Sequence, residues 1–168
     1  PIASIKTLQD LLLSGDRILR IEAILSGTIS YIFNEFSGDR HFHDIVREAQ
    51  EKGFTEPDPR DDLSGLDFMR KMLILGRDSG NVLEMDDISI QRIRPEACMN
   101  ASTVAAFYEE LEKADSHFEA MKQAAEKEGK VLRYIGILEN GAVSIRLAAV
   151  DPPPPFYSLR GSDNIIAF

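Results

Sequence analysis

The sequence predicts an α+β fold in which a single mixed sheet is covered by helices. Two observations predict this class. Segments with helical spacing of apolar residues are interspersed with segments that alternate apolar and polar residues. Asn140-Gly141 also lies between two alternating segments, where Asn-Gly favours a tight hairpin turn. The 168 residues contain no repeat, and a chain of that length buries about 70% of its unfolded surface, so we expect one domain.

The predicted helices and strands are mixed along the chain. Apolar residues three or four apart indicate helices, alternation indicates strands, and a glycine after a helical segment indicates its end. These signals place helices at 5–13, 26–36, 42–52, 62–78, 103–112 and 115–127, and strands at 17–25, 88–93, 130–138 and 142–150. The helix at 26–36 has two candidate N-caps, Ser26 and Thr28, because either hydroxyl can accept from a first-turn N–H.

Composition excludes several classes of function. The formal net charge is −9 and no basic patch is visible, which argues against nucleic-acid binding. No run approaches the roughly 20 apolar residues that cross a bilayer, so we expect no membrane partner and a cytoplasmic location. The one cysteine, Cys98, is expected to be inert. No metal site is expected, since His41 and His43 lie two residues apart and face different sides of a helix.

The most informative stretch runs from Glu56 to Lys71. It opens with Glu-Pro-Asp-Pro, and the two prolines make this part of the backbone stiff and extended. A helix is then expected to begin at Asp61 or Asp62, where a carboxylate can accept from the free N–H groups of the first turn. Its apolar residues recur at helical spacing at Leu63, Leu66, Met69, Leu73 and Ile74.

Asp67 and Lys71 interrupt this apolar pattern. They lie four residues apart and therefore on one face of the predicted helix. Between apolar sectors the pair is expected to be partly desolvated, which favours proton-transfer chemistry. The alternative is an ordinary surface salt bridge, worth a few tenths of a kcal/mol. Spacing alone leaves both open.

Several runs of this sequence resemble one enzyme family. They are Gly-Phe-Thr-Glu-Pro-Asp-Pro-Arg-Asp-Asp-Leu-Ser-Gly-Leu-Asp at 53–67 with Arg70-Lys71 after it, Ile-Leu-Ser-Gly-Thr-Ile-Ser-Tyr-Ile-Phe-Asn at 24–34, Lys-Val-Leu-Arg-Tyr at 130–134 and Asp-Asn-Ile-Ile-Ala-Phe at 163–168. Together they resemble the catalytic domain of homoserine dehydrogenase, and most closely that part of the bifunctional aspartokinase/homoserine dehydrogenases. The similarity extends over essentially the whole chain.

The resemblance implies a reaction and a set of site residues. The reaction is the interconversion of L-homoserine and L-aspartate 4-semialdehyde with NAD or NADP, in threonine and methionine biosynthesis. The resemblance implies that Lys71 transfers the hydroxyl proton and that Asp67 orients the Lys71 side chain. Glu56 binds the α-ammonium of the substrate, aided by Asp62. Asp62 has a structural alternative as a helix cap.

The run at 24–34 corresponds to the loop of the family that approaches the substrate. Gly27 and Thr28 match this loop and are therefore expected to take part in substrate binding, and Thr28 has the alternative role of a helix cap. Phe54 departs from the family pattern, where tyrosine is frequent, so any contact of that hydroxyl is absent here.

No Gly-x-Gly-x-x-Gly fingerprint occurs, so no cofactor-binding residue is predicted in this sequence. The resemblance therefore implies that 1–168 is the catalytic, substrate-binding domain, truncated at both ends, and that it is inactive alone. It also implies a homodimer formed through the sheet. The alternative is a non-catalytic dimerisation or assembly module whose Asp67–Lys71 pair is only structural.

Overall fold

One mixed sheet organises the chain in the computed structural model, which describes residues 2–93, 95–153 and 155–168. Residues 1, 94 and 154 of the predicted 1–168 domain lie outside that description. The strands are β1 (Arg20–Ile24), β2 (Ile88–Ile90), β3 (Val131–Glu139), β4 (Ala142–Val150) and β5 (Ile165–Ala167), in the spatial order β2-β4-β3-β1-β5. β2 is parallel to β4, and the other pairs are antiparallel. The predicted α+β class with a single mixed sheet is confirmed.

Helices precede, connect and cover these strands. Their bounds are α1 (Ile2–Leu13), α2 (Gly27–Glu35), α3 (Phe42–Glu51), α4 (Pro59–Leu63), α5 (Leu66–Asp78), α6 (Glu96–Met99), α7 (Val104–Lys113) and α8 (Asp115–Lys127), with a 3₁₀ turn at Met85–Asp87. Most agree with prediction within a few residues, but α6 was not predicted and the predicted helix at 62–78 is wrong at its start. Across the described ranges, no helix is long and apolar enough to cross a membrane.

The β3–β4 hairpin is the longest strand pair. Its register joins Glu139 to Ala142 at the turn and Val131 to Val150 at the far end. The turn falls at Asn140-Gly141, so the predicted hairpin is confirmed. β1 pairs with the other edge of β3 and brings the start of α2 to the end of the sheet.

Helix α5 packs directly on β3, and this contact fixes the position of the site. A Cβ atom built on Gly136 would lie 2.6 Å from Met72 Sδ and 2.7 Å from Phe68 Cε1, so only glycine allows this approach. Phe68 also meets Tyr134 edge to face, with ring centroids 5.4 Å apart. Burying Phe68 and Met72 contributes about 1.5–3 kcal/mol each, which holds α5 firmly on the sheet.

The opposite face of the sheet carries a second apolar cluster. Side chains alternate along a strand, so Ile135 faces away from the helix that contacts Gly136. Ile135 is buried with Ile24 and Phe156. The partly buried members are Ile137, Ala148, Val150, Leu159, Ile165 and Ala167. Apart from Phe156 and Leu159, every member of this cluster belongs to a strand.

Candidate active site

The segment that carries Glu56 is held at several points while the Glu56 side chain stays exposed. The ring of Phe54 stacks on that of Tyr31, with centroids 4.4 Å apart. The side-chain amide of Gln50 donates to the carbonyl oxygen of Pro57 at 2.9 Å. The backbone N–H of Glu56 donates to Asp62 Oδ2 at 2.8 Å. These contacts fix the backbone on both sides of the Glu56 carboxylate.

Asp62 connects two parts of the site and does not cap a helix. Its Oδ2 atom receives the Glu56 N–H, and its Oδ1 atom lies 2.9 Å from the hydroxyl oxygen of Thr28. The N-cap of α4 is Asp58, whose side chain accepts from the backbone N–H of Arg60 at 3.0 Å. The predicted helix start at Asp61 or Asp62 is therefore wrong, since Pro59 occupies the first turn, where its missing N–H costs nothing.

Thr28 is 8% exposed and its hydroxyl points toward the Glu56 segment. The hydroxyl oxygen lies 2.6 Å from the carbonyl oxygen of Phe54 as well as near Asp62. The N-cap of α2 is Ser26, which accepts from the Ile29 N–H at 3.2 Å, so the structural alternative for Thr28 is wrong. Gly27 packs against Ser162, since a Cβ there would lie 3.3 Å from the Ser162 carbonyl oxygen.

The predicted continuous helix at 62–78 is broken between Leu63 and Leu66. Gly65 has φ of 73°, a left-handed conformation that ends α4 and starts α5 in a new direction. Leu66 is 39% and Ile74 47% exposed although both belong to the predicted apolar pattern. The buried side of α5 carries Phe68, Met72, Leu73 and Leu75 instead.

Asp67 and Lys71 form the predicted ion pair on α5. Lys71 Nζ lies 2.7 Å from Asp67 Oδ2 and also donates to the carbonyl oxygen of Leu25 at 2.9 Å. The Lys71 side chain is 35% exposed and that of Asp67 is 68% exposed, so the expected desolvation is wrong for Asp67. A lysine ammonium has three N–H donors, and these two acceptors leave the third for a ligand.

A cleft of about 360 Å³ lies beside this pair. Its lining consists of Glu56, Asp61, Asp62, Ser64, Leu66, Asp67 and Arg70. Lys71 lines a second, mainly apolar pocket of about 130 Å³ with Leu25, Ile74 and Asn164. Because Asp67 lines the first pocket and Lys71 the second, the ion pair lies between the two. The structure thus brings Glu56, Asp62 and Asp67 to one cleft, with Lys71 at its border, and places Gly27 outside both linings.

A charged network supports Tyr31 behind the Glu56 segment. The Tyr31 hydroxyl donates to Glu48 Oε1 at 2.8 Å and accepts from Lys52 Nζ at 2.9 Å. Glu48 also receives hydrogen bonds from Lys52 and Arg40. The hydrogen bonds from Lys52, Tyr31 and Arg40 lower the pKa of Glu48 to about 2. Glu48 is therefore ionised at neutral pH and fixes the tyrosine on which Phe54 stacks.

Sequence reasoning missed two features of the site. The first is the Leu25 carbonyl, which no residue pattern indicates because a backbone acceptor 46 positions from Lys71 has no local signal. The second is Arg70 in the lining of the cleft. Its spacing of three residues from Asp67, which places both on one side of α5, was a usable signal.

Comparisons with known proteins identify the family of this chain. The family model described as homoserine dehydrogenase matches residues 1–168. This chain belongs to the homoserine dehydrogenase family. It is 49% identical over 166 residues to the chloroplastic bifunctional aspartokinase/homoserine dehydrogenase 2 of Zea mays, covering 98% of this chain and 18% of that protein. It is 43% identical over 172 residues to the homoserine dehydrogenase of Schizosaccharomyces pombe, covering 98% and 46%.

Solved structures show the same fold. A crystal structure of a Candida auris protein of unknown function has a TM-score of 0.91 at 41% identity, covering 96% of this chain and 47% of that one. A homoserine dehydrogenase from Thiobacillus denitrificans has a TM-score of 0.72 at 23% identity, covering 96% and 34%, and supports the fold alone. The chain of this homoserine dehydrogenase family member thus spans less than half the length of each of these relatives.

Proposed function

We propose that this chain supplies the substrate-binding and proton-transfer residues of an enzyme that interconverts L-homoserine and L-aspartate 4-semialdehyde in amino-acid biosynthesis. One observation carries the proposal: Lys71, bound to Asp67 and to the Leu25 carbonyl, borders a cleft that Glu56 and Asp62 line. An acid–base group thus lies beside an anionic cleft, which is the arrangement that an amino alcohol needs.

Each residue has a role in this proposal. The Glu56 carboxylate attracts the α-ammonium of homoserine, and Asp62 holds the Glu56 backbone and adds negative charge. Thr28 fixes Asp62 through its hydroxyl. The third N–H of the Lys71 ammonium donates to the oxygen on C4 of the substrate. In the reduction Lys71 gives a proton to this oxygen as it becomes a hydroxyl, and in the oxidation it receives the proton back.

Asp67 keeps Lys71 in place for this transfer. Its Oδ2 atom and the Leu25 carbonyl fix two of the three N–H directions, so the remaining one has a defined direction. A nicotinamide cofactor, when bound, supplies the hydride or accepts it. Because the sequence has no dinucleotide fingerprint, we propose that NAD or NADP binds to another part of a longer chain and that these 168 residues are inactive alone. A cytoplasmic location stays a prediction.

Steady-state kinetics of a full-length protein containing this region tests the proposal. Lys71→Ala is expected to lower kcat for homoserine oxidation by about 10²- to 10⁴-fold, the usual contribution of general acid–base catalysis. Glu56→Ala is expected mainly to raise KM, because it removes binding and leaves the reacting groups in place. Lys6→Ala is the matched control, since Lys6 forms an exposed ion pair with Asp10 on α1. Wild-type rates in Lys71→Ala would favour the alternative, a non-catalytic assembly module.

We further propose that two copies pair through the sheet face that carries Ile24, Ile135 and Phe156. Strand residues make up most of that apolar cluster, and its partly buried members leave apolar surface to cover. Ile137→Lys, which places a charge among them, is expected to shift the sedimentation coefficient from dimer to monomer. A wild-type protein that sediments only as a monomer at micromolar concentration would contradict this pairing.

A further inference from the structure

Arg70 is a cation in the lining of an acidic cleft. The carboxylates of the lining are those of Glu56, Asp61, Asp62 and Asp67. Among the described lining residues, Arg70 alone carries a positive charge. Arg70 is exposed, and it makes no ion pair within the described part of the chain although Asp67 lies one helical turn before it. The network of contacts that holds Asp62 and Lys71 does not include it.

The acidic lining of the cleft acts differently on the two charges of homoserine. Homoserine carries an ammonium and a carboxylate on the same carbon. The acidic lining attracts the ammonium but repels the carboxylate, and a buried or half-buried carboxylate without a cation costs several kcal/mol. A cation in the lining of the cleft would offset this repulsion.

We propose that Arg70 binds the α-carboxylate of the substrate. The inference rests on the proposed function and deepens it: Glu56 and Arg70 recognise the two charges of the amino acid, and the hydroxyl end then extends to Lys71. A guanidinium presents two parallel N–H donors to a carboxylate, which fixes its orientation as well as its position.

Lys71, the other cation of this stretch of α5, is not available for this role. Its Nζ already contacts Asp67 Oδ2 at 2.7 Å and the Leu25 carbonyl at 2.9 Å, and it lines the neighbouring apolar pocket. Arg70 lines the cleft itself and has no competing partner among the described residues. The two adjacent cations thus have different roles. Lys71 contacts the reacting oxygen of the substrate, and Arg70 binds its α-carboxylate.

The test uses the full-length protein, with Arg70→Ala, Arg70→Lys and the control Arg17→Ala, an exposed arginine before β1. Arg70→Ala is expected to raise KM for homoserine about 10- to 100-fold, the equivalent of a charge-assisted hydrogen bond, with kcat changed less than about threefold. Arg70→Lys is expected to bind homoserine more tightly than Arg70→Ala but less tightly than wild type, because lysine keeps the charge and lacks the two parallel N–H donors of the guanidinium. Arg17→Ala is expected to behave as wild type.

Two truncated analogues, used as competitive inhibitors, identify the group that Arg70 contacts. 4-Hydroxybutanoate keeps the carboxylate and lacks the ammonium; 3-amino-1-propanol does the reverse. Arg70→Ala is expected to weaken inhibition by 4-hydroxybutanoate about 10-fold or more and to leave that by 3-amino-1-propanol unchanged. Glu56→Gln is expected to show the opposite pattern.

The outcomes separate this inference from the proposed function. If wild type oxidises homoserine but Arg70→Ala matches Arg17→Ala, or weakens both analogues equally, the assignment of Arg70 is overturned and the proposed function stands. A rise in KM for the nicotinamide cofactor alone would also overturn it, since Arg70 would then contact an anion of the cofactor. If wild type does not oxidise homoserine at all, the proposed function fails and this inference with it.

Discussion

The Oδ2 atom of Asp62 accepts a hydrogen bond from the backbone N–H of Glu56 at 2.8 Å, across a segment that contains two prolines. The same carboxylate reaches Thr28 through Oδ1 at 2.9 Å. One side chain therefore joins the start of α2 to the segment that carries the proposed ammonium anchor. The position of Glu56 is set by Asp62 and by the Tyr31–Phe54 stack, while its own carboxylate remains open to the cleft.

Asp62→Asn is expected to weaken the connection that the Asp62 carboxylate makes between Thr28 and the backbone of Glu56. The amide has one oxygen in place of two and no charge, so the Glu56 N–H loses its charged acceptor, whereas the Thr28 hydroxyl can still donate to the Phe54 carbonyl. The free energy of unfolding is expected to fall by about 1.5–3 kcal/mol, the range for hydrogen bonds to charged groups. Urea titration measures this loss, and KM for homoserine is expected to rise with it. Asp61→Asn is the control for stability, since the adjacent Asp61 carboxylate is exposed, and equal effects of the two variants would contradict this connection.

Gly65→Ala is expected to destabilise the protein more than Gly80→Ala. Both glycines have positive φ, 73° and 91°, which costs an alanine about 1–2 kcal/mol. A Cβ on Gly65 would also lie 3.0 Å from Ile90 Cδ1 and 3.1 Å from the Tyr134 hydroxyl, whereas Gly80 has nothing within 4 Å. The additional loss for Gly65→Ala is expected to be about 1–3 kcal/mol by urea titration. Equal losses of unfolding free energy in the two variants would contradict the prediction, because the neighbours of Gly65 would then accommodate the added methyl group.

The fold was predictable where its signals are local. The alternation of β3 and β4 and the Asn140-Gly141 turn lie within a few residues of one another, and the hairpin formed as predicted. The break at Gly65 was not predicted, because Leu63 and Leu66 are compatible with one helix. Tertiary contacts decide the conformation there: Gly65 lies against Ile90 and Tyr134, both distant in the sequence.

The same distinction applies to the site. The Asp67–Lys71 pair is four residues apart and was predicted from spacing alone. The resemblance indicated Glu56, Asp62 and Thr28 as site residues, and their roles remain proposals. Their bonds to one another, such as Thr28 to Asp62 over 34 positions, depend on how α2 packs against α4 and have no sequence pattern. The place of Arg70 in the cleft likewise depends on how α4 and α5 meet, which no local pattern indicates.

Asp67→Asn is expected to lower kcat about 10- to 100-fold and to change KM little. Asparagine still accepts from Lys71, but it has no charge to hold the ammonium in position. Asp78→Asn, at the exposed end of the same helix, is the control. A rise in KM at constant kcat would assign Asp67 to substrate binding instead.

Glu48 is expected to make the stability of the protein depend on pH in the acid range. Its pKa is lowered to about 2 in the folded state by Lys52, Tyr31 and Arg40, while an unfolded glutamate titrates near its ordinary value of about 4.3. Between these values the unfolded state binds more protons, so this contribution is fully present above about pH 4.3 and is lost as the pH falls toward 2. The stability difference between wild type and Glu48→Gln is therefore expected to shrink between pH 5 and 3 in urea titrations. Glu51→Gln, an exposed residue of the same helix, should show no such trend, and a difference that is constant with pH would contradict the network.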